Sequence, residues 1–493
     1  MVFMNCKAFH KLIVVGLLAV PGLSATAAFA EDVRKPNVLF IFTDDQRHDT
    51  IHALGNESIR TPHIDRLVKN GTAFTNAYIM GGSSPAVCSP SRACLFSGLT
   101  LWNVENQGTF GYEISKKYTT LPEVFRNNGY VTFGTGKNEP GKDGHFNRSF
   151  STGDKILFKG MTQSQFRMQL HAYSPANDYS NEKRITVTGK HSAETYADAT
   201  IKFIESQQKS DKPFFAYLAF QTPHDPRQAP PEYHASYDAA EMELPVPFMP
   251  QHPFDNGMLR IRDENLAPFP RTEDVIRKHL ADYYATISHD DEQIGRVLKA
   301  LEESGFAENT IIVFAADNGL GMGSHGLMGK QNVYEHSVRV PLIISGPGIP
   351  KGELRKQLCY IYDIYPTLCE RAGLKTPQTV EYKSLNEAVK DETAKHRDHL
   401  YFAFMSWQRS VRDEQYKLIE YCVDSERHTQ LFDLTNDPQE TKNLADAPEQ
   451  KVNIERLRKL LQAERLRLND GNTPYKLTNE QGVAFWTTFE KSR

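Results

Sequence analysis

The segment Pro36–Asp45 reads PNVLFIFTDD, and its apolar centre, Val38–Phe42, decides the fold. An unbroken apolar run between a proline and two aspartates is typical of a strand that is buried on both faces, as in a parallel sheet. Phe214–Phe220 (FFAYLAF) and Ile311–Ala315 (IIVFA) show the same pattern. We therefore predict that these three segments are strands of one mostly parallel central sheet.

Helical patterns lie between these strands. Ala193–Gln207 is one, and Thr272–Ser304 is the clearest, with Gly305 as its stop signal. Its apolar residues recur at helical spacing and are Ile276, Leu280, Tyr283, Ile287, Ile294, Leu298 and Leu301. Strands that alternate with helices predict an α/β fold in which helices cover both faces of the sheet.

The pattern changes in two later parts of the chain. Leu244–Arg271 is rich in proline and has no periodicity, which indicates a long surface excursion beside a binding site. From Leu400 onward, short strand-like runs (YFAF, YKLIEYCV, QLFDL) predict a smaller antiparallel sheet, and Ile454–Arg467 predicts an amphipathic helix. We therefore predict a catalytic domain over residues 31–390 and a C-terminal subdomain over residues 391–493.

Composition and the N-terminus limit the class of protein. A formal net charge of −4 over 493 residues lacks the basic signature of nucleic-acid binding. Lys7 and Lys11, the apolar run Leu12–Val20 and the small residues at Ala28–Ala30 predict a signal peptide over residues 1–30, with a buried N-terminal helix as the alternative. We expect export to the periplasm or the extracellular space, and no membrane span in the mature chain.

Five cysteines remain after the predicted cleavage site, and an odd number leaves one thiol outside any set of disulfides. Cys88 is the one that we expect to be left over. Export permits disulfides among Cys94, Cys359, Cys369 and Cys422, which allow three pairings or none. A core of this size does not depend on them.

Carboxylates follow two of the predicted strands. Asp44 and Asp45 come after the first strand, and Asp317 and Asn318 come after the third, while His224 follows the second. Ligands of open α/β sheets sit at the carboxyl ends of the strands. Either pair alone is more typical of a turn or a helix cap. Two such pairs favour a metal site, and an oxygen-only ligand set suits Ca²⁺ or Mg²⁺ better than zinc.

A cysteine motif and a series of shorter matches resemble the sulfatase family. The motif is Cys88–Arg92 (CSPSR). The other matches are Leu95–Gly98 (LFSG), Gly129–Tyr130 with Thr135–Lys137 (TGK), Pro223–Pro226 (PHDP), Asp317–Gly319 (DNG), Gly329–Lys330 (GK), Leu431–Leu434 (LFDL), Asp437–Pro438 and Asn443–Leu444. The resemblance extends from about Pro36 to about Ala445, nearly the whole predicted mature chain.

The resemblance implies an alkaline-phosphatase-like fold and a specific chemistry. From this resemblance we expect a maturation enzyme to oxidise Cys88 to formylglycine. We also expect its hydrated aldehyde to attack sulfur with the help of a calcium ion bound by Asp44, Asp45, Asp317, Asn318 and residue 88. A transferring sulfuryl group spreads negative charge over its oxygens, so cations must cluster around it. The candidates that carry this charge or contact the substrate are Arg92, Lys137, Lys330, His224 as proton donor or sulfate ligand, and His325.

One departure from the family pattern affects the release of sulfate. The family carries G-K-x-H, whose histidine is the base of the elimination step, whereas Gly136–Glu139 reads GKNE. A carboxylate can accept a proton, so Glu139 is a candidate base. His145 is the second candidate, and impaired turnover is the third interpretation.

The sequence therefore predicts a sulfuric ester hydrolase that acts on a sulfated poly- or oligosaccharide. Two alternatives stay open at this stage. Formylglycine enzymes of this kind also cleave phosphate or phosphonate esters with the same nucleophile and metal. The second alternative is a carbohydrate-binding protein that has lost catalysis, which only Glu139 favours.

Overall fold

Strands and helices alternate along most of the chain, as predicted. The computed structural model describes residues 35–105, 114–138, 145–158, 160–424 and 426–471. The strands are β1 (Asn37–Asp44), β2 (Gly71–Phe74), β3 (Ala77–Tyr78), β4 (Gly81–Gly82), β5 (Val131–Asn138), β6 (Thr152–Phe158), β7 (Arg167–Leu170), β8 (Ile185–Thr188), β9 (Phe214–Pro223), β10 (Thr310–Ala316), β11 (Leu342–Ser345), β12 (Glu353–Arg355), β13 (Cys359–Tyr360), β14 (Leu400–Phe404), β15 (Gln408–Arg412), β16 (Tyr416–Val423) and β17 (Glu426–Asp433).

The α-helices vary widely in length, and the longest is the one predicted from Thr272 onward. They are α1 (Pro62–Lys69), α2 (Cys88–Ser97), α3 (Leu101–Glu105), α4 (Leu121–Asn127), α5 (His145–Ser149), α6 (Ser192–Gln207), α7 (Pro231–His234), α8 (Glu273–Glu303), α9 (Glu335–Val338), α10 (Ile364–Arg371), α11 (Asn386–Lys390) and α12 (Lys451–Arg467). The predicted helices at 193–207, 272–304 and 454–467 are confirmed as α6, α8 and α12.

The central sheet has eight strands in the order β12-β2-β11-β10-β1-β9-β5-β6. The strands from β10 to β6 are parallel, and β11 runs antiparallel to both β10 and β2. Val38, Phe40 and Phe42 pack into the core on one face of the sheet, and Leu39 and Ile41 pack into the core on the other face. Burial on both faces explains the unbroken apolar run in β1, and the predicted α/β fold class is confirmed.

Helix α8 supports both the sheet and the loop that follows β10. Its second half, with Ile294 and Leu298, packs on one face of the sheet. Its first half, with Ile276, Leu280 and Tyr283, belongs to a separate apolar cluster that includes Leu320, Met322 and Met328. The helix therefore fixes the residues that follow Asn318, which bear on the candidate site described below.

The C-terminal part forms the predicted second sheet, in the order β17-β16-β15-β14-β4. The four strands β14 to β17 are antiparallel, but β4 joins the edge in parallel with β14. Gly81 makes this pairing possible, because a Cβ there would lie 2.1 Å from the carbonyl oxygen of Ala403. Contacts place the described residues from Lys35 onward in one compact unit. The boundary at residue 390 stays a prediction.

Two sequence predictions concern termini and cysteines. The predicted signal peptide lies outside the described residues, and within the described ranges no helix is both long and apolar enough to cross a membrane. Cys94, Cys359, Cys369 and Cys422 are all buried, and no disulfide joins cysteines in the described part of the chain. Of the pairings left open by the sequence, the structure therefore has none.

Candidate active site

The candidate site residues meet at the carboxyl ends of four adjacent parallel strands. Asp44 ends β1, Asp317 follows β10, His224 follows β9 and Lys137 lies near the end of β5. Because the strand order is β10-β1-β9-β5, these ends are neighbours, and all four side chains are buried. The sheet topology thus brings together groups that are up to 273 residues apart in the sequence.

A turn at Asp45 directs two successive aspartates into the same pocket. Asp45 has a left-handed backbone, with φ of 64°. Its N–H donates to Asp317 Oδ1 at 3.1 Å, and its carbonyl oxygen accepts a hydrogen bond from the Tyr283 hydroxyl at 2.5 Å. The same hydroxyl accepts a hydrogen bond from the Arg47 N–H at 3.0 Å. These contacts offset the strain of a conformation that non-glycine residues rarely adopt.

The cysteine motif forms the first turns of α2. Cys88 is its first residue, and Arg92, four residues later, lies on the same face of the helix. The Cys88 Sγ lies 3.4 Å from Lys137 Nζ. Carboxylate oxygens of Asp44 and Asp317 and this sulfur all lie within 4.8 Å of one another. The thiol therefore sits against the carboxylates that were predicted to bind metal.

Three buried cations pair with three buried carboxylates around the thiol. Arg92 Nε donates to Asp317 Oδ2 at 2.8 Å, and its Nη2 is 3.5 Å from Asp44 Oδ2. Lys137 also pairs with Asp44 Oδ2, and Lys330 Nζ is 2.5 Å from Asp45 Oδ1. Buried charges are tolerated when they are paired in this way.

Burial and these charges shift the pKa values in opposite directions. Burial would raise the pKa of the Asp44 carboxyl, but Lys137 and Arg92 hold that pKa below its usual range. Burial and the adjacent Asp44 charge raise the pKa of Asp317 to about 6, although Arg92 opposes the rise. Asp317 thus resists carrying its charge beside Asp44. A bound divalent cation would relieve that repulsion.

The residues present fit a hard metal ion. Asp44 Oδ1 and Asn318 Oδ1 are buried and accept no hydrogen bond from the described part of the chain. The Asn318 amide nitrogen donates to Asp45 Oδ1 and to the Gly319 carbonyl, each at 2.8 Å, so hydrogen bonding fixes the carboxamide through its nitrogen. Buried oxygens without partners are costly, and a cation with oxygen ligands would satisfy both.

His224 is held with one ring nitrogen toward the carboxylate cluster. Its Nδ1 lies 3.1 Å from Asp225 Oδ1, and its Nε2 lies 3.7 Å from Asp45 Oδ2. Asp225 is itself fixed by a two-pronged ion pair with Arg262, with contacts of 2.7 Å. Burial would lower the pKa of His224, but the Asp45 charge raises it above the ordinary value. The ring is therefore suited to donating a proton into the pocket.

The pocket beside these groups has a volume of about 650 Å³. Cys88, Lys137, His224 and Lys330 line it, together with Ile261–Asp263 from the proline-rich excursion. That segment thus reaches the site, in agreement with its prediction as an excursion beside it. A larger groove of about 1200 Å³ lies between β17 and α12, and none of the predicted site residues lines it.

Of the predicted site residues, His325 and His145 do not line the pocket, and Glu139 is not among the described residues. His325 is not part of the pocket lining; its ring stacks on Tyr334 with centroids 4.0 Å apart, and its Nε2 contacts the Glu440 carbonyl oxygen at 2.9 Å. His145 is buried and packs edge-on against Phe96. Glu139 lies outside the described residues. The choice between Glu139 and His145 as the base therefore stays a prediction.

Several residues that surround the site carry no sequence signal. Tyr217 accepts a hydrogen bond from Arg92 at 3.2 Å, and Tyr283 clamps the Asp45 turn. Both occupy apolar positions of ordinary strand and helix patterns. Only their polar hydroxyls distinguish them, and only the fold reveals what those hydroxyls contact.

Comparison with known proteins identifies the family. Residues 36–374 match the Sulfatase family, and residues 323–467 match the family described as N-sulphoglucosamine sulphohydrolase, C-terminal. The chain belongs to the sulfatase family, and it is accordingly a sulfuric ester hydrolase. The predicted resemblance and the alkaline-phosphatase-like fold are thereby confirmed.

Individual proteins extend this similarity over most of the chain. The arylsulfatase of Clostridium perfringens is 30% identical over 469 residues, which cover 87% of this chain and 94% of that protein. A protein solved in complex with its substrate D-glucosamine-2-N,6-O-disulfate has a TM-score of 0.71 at 22% identity, covering 90% and 100% of the two chains. The phosphonate monoester hydrolase of Agrobacterium radiobacter has a TM-score of 0.67 at 23% identity, covering 88% and 96%. The two solved structures show a shared fold alone.

Proposed function

We propose that this chain removes sulfate from a sulfated poly- or oligosaccharide, with formylglycine at position 88 as nucleophile and one Ca²⁺ or Mg²⁺ as cofactor. The observation that carries the proposal is the buried cluster of Asp44, Asp317 and the Cys88 thiol, with ligand atoms within 4.8 Å of one another. The sulfated sugar that one structural neighbour binds supports the class of substrate. The signal-peptide pattern of residues 1–30 supports action outside the cytoplasm.

The residues of the chain divide the chemical work between them. Formylglycine supplies a hydroxyl nucleophile from its hydrated aldehyde, and a divalent ion favours the ionised form of that hydroxyl. Lys137 and Lys330 line the pocket and neutralise charge on the sulfate oxygens. Arg92 does not line the pocket but bonds Asp317, so it orients the ligand carboxylates. His224 donates a proton to the leaving oxygen.

The substrate class is tested by direct comparison of esters. Purified, matured protein is incubated with p-nitrophenyl sulfate, the corresponding phosphate and a phosphonate monoester, and then with sugars that carry one sulfate at a defined position. We expect sulfate release with a higher kcat/KM than phosphate or phosphonate release, and preference for one sugar position. Preference for a phosphate or phosphonate ester would contradict the proposal. Binding of sulfated sugars without any hydrolysis would favour the non-catalytic alternative.

The role of His224 predicts a dependence on the leaving group. His224→Gln should lower kcat/KM for sugar sulfates by about 10²- to 10⁴-fold, the usual worth of a general acid. The loss should be smaller for p-nitrophenyl sulfate, because nitrophenolate leaves without a proton. His289→Gln is the control, since His289 is also buried but contacts Glu194 on α6 and Gln293 on α8. Equal losses for both substrates in His224→Gln would argue against proton donation.

A further inference from the structure

The position of Lys330 depends on the loop that precedes it. This loop folds back on itself through hydrogen bonds from the Gly321 N–H to the Gly329 carbonyl at 2.9 Å and from the Gly323 N–H to the Leu327 carbonyl at 2.7 Å. Lys330 follows directly, with its ammonium 2.5 Å from Asp45 Oδ1 and its side chain buried. A lysine side chain is a flexible four-carbon chain, so its backbone must be fixed if the ammonium is to occupy one place.

Glu264, in the proline-rich excursion, binds the backbone immediately before Lys330. Its Oε2 accepts the Met328 N–H at 2.9 Å, and its Oε1 accepts the Gly329 N–H at 2.8 Å. Arg271 Nη2 donates to the same carboxylate at 2.6 Å, and both side chains are buried. Hydrogen bonds to an ionised acceptor are stronger than neutral ones, and two adjacent donors on one carboxylate fix both position and direction.

The residues beside Glu264 and Lys330 extend this anchor. Gln331 Oε1 accepts the Lys330 N–H at 3.0 Å, and Gln331 Nε2 donates to Asp263 Oδ2 at 2.8 Å. The same nitrogen donates to the Pro85 carbonyl at 2.9 Å, just before the helix that begins at Cys88. The backbone before Lys330 is thus tied to Glu264, and the side chain of Gln331, which accepts the Lys330 N–H, is tied to Asp263.

Gly329 lies where no side chain fits. A Cβ there would be 2.2 Å from Gln331 Oε1, 2.9 Å from the Asp263 Cβ and 3.1 Å from Glu264 Oε1. The close approach of these three residues therefore requires glycine. This gives a physical reason for the glycine before Lys330 that involves the excursion and not the substrate.

We propose that Glu264 is a positioning residue of the active site, whose carboxylate holds the Met328–Gly329 backbone so that the Lys330 ammonium faces the sulfate. Asp263 and Gln331 complete the anchor. The inference rests on the proposed role of Lys330 as a sulfate-binding group. It assigns the excursion two tasks, because Ile261–Asp263 also line the pocket.

The test is a double-mutant cycle between Glu264 and Lys330. In Glu264→Gln, an amide nitrogen replaces one acceptor oxygen and faces a donor, so one anchoring bond is lost. We expect kcat/KM for sulfate esters to fall by up to roughly 10²-fold, the scale of a displaced catalytic group. In a Lys330→Ala background the same substitution should change kcat/KM by less than about 3-fold, because the group that it positions is gone.

Asp291→Asn is the matched control for loss of a buried carboxylate. Asp291 also accepts two consecutive backbone N–H groups, those of His63 at 3.0 Å and Ile64 at 2.7 Å, but it does not line the pocket. The Asp291→Asn variant should have lower thermal stability than wild type. Its effect on kcat/KM should be the same in the wild-type and the Lys330→Ala backgrounds. Amide hydrogen exchange supplies a readout apart from activity: Glu264→Gln should speed exchange at Met328 and Gly329, and Asp291→Asn should not.

The outcomes separate this inference from the proposed function. If Glu264→Gln does not fold, Asp263→Asn replaces it in the same cycle, since it weakens the Gln331 contact, together with the 3.3 Å contact between Asp263 Oδ1 and Arg262 Nε. Equal losses with and without Lys330, or unchanged kcat/KM in the single variant, would overturn the positioning role. If Lys330→Ala leaves sulfate ester hydrolysis unchanged, the proposed role of Lys330 fails and the inference with it. If the wild-type protein releases no sulfate, the proposed function itself fails.

Discussion

Replacing Cys88 by alanine is expected to lower kcat for sulfate esters by about 10⁴-fold or more, the scale at which enzymes lose an essential nucleophile. Cys88 Sγ lies 3.4 Å from Lys137 Nζ and beside the carboxylates of Asp44 and Asp317. Cys88 is the one cysteine among the described residues that line this pocket. Sulfate release is the measurement for the variant, and peptide mass spectrometry of the wild type should find an aldehyde or its hydrate at residue 88.

The control is another cysteine of the same helix. Cys94 is buried and contacts the Tyr382 side chain, and burial raises the pKa of its thiol above the ordinary value, which is typical of an inert core cysteine. Cys94→Ala should lower the melting temperature while kcat stays within about 2-fold of wild type, as for a core substitution away from the chemistry. Full activity of wild-type protein with an unmodified thiol at Cys88 would refute the nucleophile.

The central sheet was predictable because its strands carry their burial in their composition. β1, β9 and β10 are apolar on both faces, and each was predicted to within three residues of its observed bounds. Ligands gather at the carboxyl ends of the strands in such a sheet, and this rule predicted that Asp44, His224 and Asp317 lie close together. Strands β2 and β12 are short and mixed in composition, so no sequence pattern predicted them.

The contacts that position the site were not predictable, because they join segments that have no regular pattern. Glu264 lies in a stretch without periodicity, and its partners Met328 and Gly329 are 64 and 65 residues away in the sequence. A lone glutamate in such a stretch is ordinarily exposed, and only the fold shows it buried. The same holds for Tyr283, which looks like one more apolar position of α8.

His325 stays a predicted substrate contact, and its surroundings in the fold could not be read from its place in the sequence. It lies seven residues after Asn318, within the loop that folds back between Gly321 and Gly329. Its ring stacks on Tyr334, and it contacts Glu440 from the segment after β17. Burial lowers the pKa of His325 to about 4, so the ring is neutral near pH 7. The contact observed for His325 is therefore with the C-terminal part of the chain.

Removing one carboxylate from the strand-end cluster is expected to abolish both metal binding and activity. Asp317→Ala deletes one of the carboxylates around the two buried oxygens that lack partners, Asp44 Oδ1 and Asn318 Oδ1. It also frees Arg92 from its 2.8 Å contact, which leaves a buried cation beside the ion. Both effects disfavour binding of the divalent cation at the site. We therefore expect kcat/KM to fall by at least about 10³-fold, comparable to loss of a major electrostatic contribution.

Calorimetric titration with Ca²⁺ after chelation measures the ion apart from activity. Wild-type protein should bind one ion and gain about 2.7 kcal/mol of stability when Ca²⁺ is at about 100 times Kd, whereas Asp317→Ala should show neither effect. Asp290→Asn is the control: Asp290 is also buried, it accepts a hydrogen bond from the Thr222 hydroxyl at 2.8 Å, and it is not part of the cluster of Asp44, Asp317 and Cys88. Binding in Asp290→Asn should therefore match wild type. A hard cation needs the oxygens that Asp317 supplies. Unchanged Ca²⁺ binding in Asp317→Ala would therefore show that the cluster serves another purpose, and so would a zinc ion with nitrogen ligands at this site.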